Sequence, residues 1–160
     1  MEGAVSIQNL TRRKSVPRFA YDDVAKSVLP NWSISLAFVG PAKARRLNEK
    51  LRDKTYTPNV LSYEVGKRSG EIIICPSEAE KQAPQYGLSG RDFVLYLFIH
   101  GLLHLKGWAH GATMEQCERK LVAKFAASDA RALTHVTTHS NRNRHRDVPS
   151  ENGRHRGTHR

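Results

Sequence analysis

Three histidines sit within eleven residues: His100-Gly-Leu-Leu-His104-Leu-Lys-Gly107-Trp-Ala-His110. His100 and His104 are four apart, so on a helix they lie on one face with about 5–6 Å between Cβ atoms. Gly107 can adopt a left-handed conformation, end the helix and turn the chain back, which lets His110 reach the same point. Three neutral imidazoles with a fourth position left to water is the catalytic type of zinc site. In such a site a water can ionise near neutral pH and attack an electrophile. No other histidine occurs before residue 130, so the grouping points to one Zn2+ per chain.

The same spacing is similar to the zinc motif of the metzincin proteases, H-E-x-x-H-x-x-G-x-x-H, which take the residue after the first histidine as general base. That residue is Gly101 here, which cannot move a proton, and peptide hydrolysis is disfavoured.

The elements that must hold these histidines can be read upstream and downstream. The run from Phe93 to Ile99 is apolar without interruption and reads as the buried part of a helix spanning about 90–106. A second helix over 112–127 follows Gly111. Upstream, 4–10 reads as a strand and 17–29 as a helix with Pro17 in its first turn. Residues 32–39 alternate with Trp32, Ile34, Leu36 and Phe38 on one face, as a strand does. Gly40-Pro41 opens a helix over 42–52, 60–65 and 71–75 form a hairpin, and 76–82 a short helix. This order predicts an α+β (α/β-like) fold, with a small mixed four-stranded sheet packed against about five helices and the metal site on the turn after the central helix.

The chain has 160 residues, 26 Lys+Arg, 15 Asp+Glu, eight His and two Cys, for a net charge of +11. With 39% hydrophobic and 26% charged residues it fits a globular protein. Two cysteines, Cys75 and Cys117, are too few for a disulfide scaffold; each reads as a small buried residue, and a reducing compartment is expected. The longest apolar run is far short of the roughly 20 residues that cross a bilayer. No basic flank leads into an apolar stretch at the start, so no signal peptide and a cytoplasmic location are expected. The charge is uneven. Up to residue 130 the chain nets +6, whereas 131–160 holds seven Arg, no Lys and five His and nets +5. That last stretch has few large apolar residues, so the expectation is one domain over 1–130 and a disordered Arg/His-rich tail over 131–160, which either adds salt-sensitive RNA affinity or is a solvated extension with no specific role.

Beyond these readings, the sequence resembles the YbeY family of bacterial rRNA maturation factors, metal-dependent and single-strand-specific endoribonucleases. The family signature H-G-x-L-H-L-x-G-x-D-H is met at His100, Gly101, Leu103, His104, Leu105, Gly107 and His110. The upstream pattern L-N-x-x-x-R-x-x-D-x-P-T-D-V-L-S-F is similar to Leu47-Asn48, Arg52 and Asn59-Val60-Leu61-Ser62-Tyr63, and G-D-I-x-I-C to Gly70-Glu71-Ile72-Ile73-Ile74-Cys75. The likeness covers about residues 32–125. The family's acidic positions are Thr55, Asn59, Glu71 and Ala109 here, and its Pro-Thr pair is Thr57-Pro58.

The resemblance implies a zinc-dependent endoribonuclease of rRNA processing and ribosome quality control. His100, His104 and His110 would be the metal ligands and Arg52 the functional arginine that clamps a phosphate through two hydrogen bonds. Single-stranded RNA or rRNA is the implied partner, with the small ribosomal subunit in view and no membrane or DNA. Lys43, Arg46 and Lys50 add a basic face to the 42–52 helix that can follow a phosphate backbone. Tyr63, Tyr86 and Trp108 can stack on bases or pack in the core. The rival expectation is a non-catalytic ribosome- or RNA-binding factor with a structural metal, which the replaced acidic positions favour.

Overall fold

A computed structural model describes residues 3–140, with side chains described up to residue 127. The element order is β1 (Val5–Asn9), α1 (Tyr21–Val28), β2 (Ser33–Phe38), α2 (Pro41–Arg52), β3 (Val60–Gly66), β4 (Ser69–Ile74), α3 (Pro76–Gln82), a 3-10 turn (Ala83–Tyr86), α4 (Gly90–Leu105) and α5 (Ala112–Ser140). The four strands form one sheet in the order β1-β2-β4-β3. β1 and β4 run parallel to β2, and β3 runs antiparallel to β4. This is the mixed α+β sheet that the sequence predicts.

Strand alternation builds a layer on each face of the sheet. Ile34, Leu36 and Phe38 of β2, with Ile72 and Ile74 of β4, face a large core shared with α1, α4 and α5. Ala37, Val39, Ile73 and Cys75 point the other way, against Ala44 and Leu47 of α2. Both faces of the central strands are therefore covered, and Cys75 is buried as its place after an apolar strand predicts.

Helix α4 is the axis of the larger core. Phe93 to Ile99, Leu102 and Leu103 are all buried. Each large side chain contributes about 1.5–3 kcal/mol through removal from water. Ser89 caps the helix by accepting the Asp92 N–H at 3.1 Å. One residue of α4 lies unusually close to the sheet. A Cβ placed on Gly101 would meet three Ile72 side-chain carbons at 3.1–3.3 Å. The glycine at the position of the metzincin base thus has a packing reason, since a side chain there would press on Ile72 of β4.

Three boundaries differ from the sequence reading. α1 begins at Tyr21, not at Pro17. The Pro17 carbonyl instead accepts the Tyr21 hydroxyl at 2.7 Å, and Asp22, in the first turn of the helix, accepts the Val5 N–H at 2.8 Å, tying α1 to β1. The β3–β4 hairpin is tighter than a 66–70 loop: Gly66 already pairs with Ser69, with Arg68 left-handed at φ 52°. α5, expected over 112–127, continues to Ser140. Positions 141–160, including His145, His155 and His159, lie outside the described residues.

Gly101→Val inserts an isopropyl group, three carbons, into the α4–β4 contact. It is expected to lower the melting temperature by about 3–10 °C, in line with the cost of overpacking a core. An unchanged melting temperature would mean that α4 does not bear on Ile72.

Candidate metal centre

The last turn of α4 and the chain reversal after it assemble the three histidines. Gly107 has φ 98°, a conformation that glycine adopts without steric cost. Its N–H donates to the His104 carbonyl at 2.9 Å, and the Trp108 N–H donates to the Leu103 carbonyl at 3.0 Å. These two bonds form the Schellman pattern that closes a helix around a left-handed residue. Trp108 packs half-buried against the core, and the chain then returns His110 to the helix face. The turn expected from Gly107 is the turn found.

The imidazoles are in mutual contact. Ring centroids lie 4.4 Å apart for His100–His104, 5.0 Å for His100–His110 and 4.4 Å for His104–His110. One nitrogen from each falls within 4.8 Å of the other two, so the group can hold a metal ion. His100 and His104 are half-buried and His110 is exposed.

The hydrogen bonds around the rings decide which nitrogens face inward. His104 Nδ1 lies 3.1 Å from the Trp108 carbonyl, which can only accept, so that nitrogen carries the proton. His100 Nδ1 lies 3.2 Å from Glu118 Oε2. The two remaining nitrogens, His100 Nε2 and His104 Nε2, then present lone pairs to each other at 3.0 Å. Two lone pairs that close repel unless a cation lies against both. The donor set therefore fits a divalent ion that accepts imidazole nitrogen, with the Nε2 atoms as first contacts. Burial, and next to it the neighbouring His100 and His110, hold His104 below the ordinary histidine value, which favours the neutral, ligating form.

A cavity of about 550 Å³ opens over the histidines, lined by all three and by Arg52, Tyr56, Asn59 and Gln82 among others. Arg52 is thus brought to the histidines from another element. Its guanidinium Nη1 donates to the Tyr56 hydroxyl at 3.1 Å. Buried Asn48 anchors the segment after α2, its Nδ2 donating to the Tyr56 carbonyl at 2.9 Å and its own carbonyl accepting the Lys54 N–H. Lys43, Arg46 and Lys50 are exposed on α2 and do not line the cavity. Arg52 is the one charged side chain of the lining, and no carboxylate contributes to it.

The aromatic candidates are mostly committed elsewhere. Tyr86 packs on Phe93 and Tyr96 with centroids at 4.6 and 5.3 Å, and Trp108 packs against the core. The Tyr63 hydroxyl donates to Glu71 Oε2 at 2.6 Å across the β3–β4 ladder, and burial together with that bond raises the phenol to about 12. Tyr63 and Glu71 both depart from the family pattern, and they depart as a bonded pair away from the cavity. Asn59 does line it, with its Nδ2 donating to Gln82 Oε1 at 2.6 Å.

One residue beside the site escaped the sequence reading. Glu118 of α5 is 3% exposed. The signal was available: Met114, Glu118, Val122 and Phe125 recur at helical spacing, which sets a carboxylate in an apolar stripe.

Comparison with known proteins agrees with this architecture. A family model described as Endoribonuclease YbeY matches residues 6–132. An Endoribonuclease YbeY of Bdellovibrio bacteriovorus is 29% identical over 109 residues, 67% of this chain and 70% of the relative. One from Thiobacillus denitrificans is 32% identical over 112 residues, covering 64% of this chain and 76% of the relative. One from Bordetella petrii is 37% identical over 82 residues, about half of each chain. The fold is shared with the solution structure of TM1509 from Thermotoga maritima, at a TM-score of 0.55 and 17% identity, over 90% of this chain and all of that one. The chain belongs to the YbeY family. That membership supports a nuclease, specifically an endoribonuclease, as the kind of enzyme the site serves. Among the described residues no helix is long and apolar enough to cross a membrane.

The lowered His104 value gives a pH dependence with a definite sign. The unfolded chain takes up a proton near the ordinary 6.5, whereas the folded chain resists it until lower pH. Stability from this residue is therefore intact above about 6.5 and lost as pH falls through the folded value. Melting of chelator-treated protein at about pH 7.5 and 5.5 is expected to show a larger acid-induced drop for wild type than for His104→Asn. Equal drops would contradict the assignment.

Proposed function

We propose that the protein is a zinc-dependent, single-strand-specific endoribonuclease of the cytoplasm, acting in rRNA maturation and ribosome quality control, with the small ribosomal subunit as a source of its RNA. The observation that carries this reading is the shared cavity: three converging histidines and one arginine, reached from α4, its closing turn and the end of α2, with no carboxylate in the lining. Such a lining is neutral to positive and suits a phosphodiester. A cavity of about 550 Å³ accepts a short stretch of strand, and unpaired nucleotides can be splayed into such a space where a duplex cannot.

In this reading His100, His104 and His110 hold the zinc ion. A zinc ion bound there would supply Lewis acidity toward a phosphoryl oxygen and would lower the pKa of water. Arg52 clamps a non-bridging phosphate oxygen pair, keeps its charge at any working pH, and stabilises the charge that builds as the bond to the leaving oxygen lengthens. Tyr56 restricts the guanidinium to the cavity side. The amides of Asn59 and Gln82 offer neutral hydrogen-bonding groups to the sugar or base. Lys43, Arg46 and Lys50 lie outside the cavity and act on flanking phosphates, giving salt-dependent affinity without sequence preference.

A second reading, a non-catalytic ribosome- or RNA-binding factor with a structural metal, is favoured by one observation. The positions at which the family pattern carries Asp include Asn59 in the cavity and Ala109 beside His110, so no carboxylate there can accept a proton. Cleavage of a labelled single-stranded RNA, set beside its binding, separates the two. The nuclease reading predicts turnover that Arg52→Ala reduces about 100-fold or more while zinc content stays the same. Tight binding without turnover in wild type would select the second reading, and equal turnover in Arg52→Ala would remove Arg52 from the mechanism.

A further inference from the structure

Glu118 is a buried carboxylate of a kind that folding alone does not favour. It is 3% exposed, and its one ion-pair contact among the described residues is His100, with no lysine or arginine against it. A buried charge without a cationic partner costs several kcal/mol in a folded protein. Its hydrogen-bond partner among the described residues is His100 Nδ1, at 3.2 Å from Oε2. Tyr96 and Glu118 come from different helices, α4 and α5, and both line the second cavity that adjoins His100 and His110.

We infer that Glu118 is a positioning residue of the metal centre, which orients His100 and supplies the negative charge that a bound divalent cation offsets. The inference rests on the metal-centre reading above. By accepting the Nδ1 proton, Glu118 leaves Nε2 as the ligating nitrogen and fixes the plane of the ring. The charge on the carboxylate raises the basicity of the imidazole, and partners of this kind commonly contribute about 10- to 100-fold to metal affinity. The backbone carbonyl of Trp108 fixes the His104 ring in the same way but without a formal charge. The centre is therefore asymmetric: one histidine is backed by an anion and one by a dipole.

The test is zinc affinity, measured by competition with a chromophoric chelator, together with the visible absorption of the Co2+-loaded protein. Both are read on wild type and Glu118→Gln. Glu118→Gln keeps size and an acceptor oxygen and removes the charge. It is expected to weaken zinc by about 10- to 100-fold and to shift the cobalt spectrum, with the melting temperature of the metal-free protein unchanged or raised. Wild-type affinity and an unaltered cobalt spectrum in Glu118→Gln would overturn the inference, as would a variant that loses stability without its metal yet binds zinc normally. Failure of wild type itself to bind either ion would instead overturn the metal centre on which the inference rests.

Discussion

The reversal at Gly107 is the constraint on which the rest of the site depends. Two backbone bonds, from Gly107 to His104 and from Trp108 to Leu103, stop α4 within one residue. They also place the Trp108 carbonyl against His104 Nδ1 and send His110 back toward the helix face. A longer α4 would carry His110 away from its partners, since a residue six positions beyond His104 lies about 120° round and about 9 Å further along a continuous helix. The left-handed glycine thus ends the helix, sets a tautomer and delivers a ligand. None of these could be done by a residue with a side chain at that φ without strain.

The packing beneath that turn explains how a flexible-looking motif becomes a rigid site. α4 is buried along nearly its whole length and lies against β4 at Gly101, so His100 and His104 emerge from a helix that cannot tilt or slide. The surrounding charges are arranged in shells. Neutral imidazoles meet at the centre, Glu118 lies behind one of them, and Arg52 is across the cavity. Cation attraction acts on the buried side and anion attraction on the open side. Among the described residues, the cavity that holds Arg52 is lined by no carboxylate, whereas Glu115 and Glu118 line the adjoining one.

Much of this was legible in the sequence because its signals were local. The i, i+4 histidine pair, the glycine break and the apolar run before them each follow from one helix and its end, and the structure reproduces all three. Arg52 was reached by resemblance, and its proximity to the histidines is a consequence of how α2 ends, through Asn48 and Tyr56. Glu118 was missed because its meaning lies in a contact between α4 and α5, and a carboxylate in an apolar stripe becomes informative only once its neighbour is known. The replaced acidic positions looked equivalent in the sequence. In the fold they divide: Glu71 is bonded to Tyr63 away from the site, Asn59 faces the cavity, and Ala109 sits on the loop before His110.

The central claim is that the three histidines act as one metal centre. Metal analysis of purified protein by mass spectrometry, on wild type and His104→Ala, tests it most directly. The account predicts about one zinc per wild-type chain and loss of stoichiometric zinc in a folded variant. Equal zinc in the two proteins would contradict it.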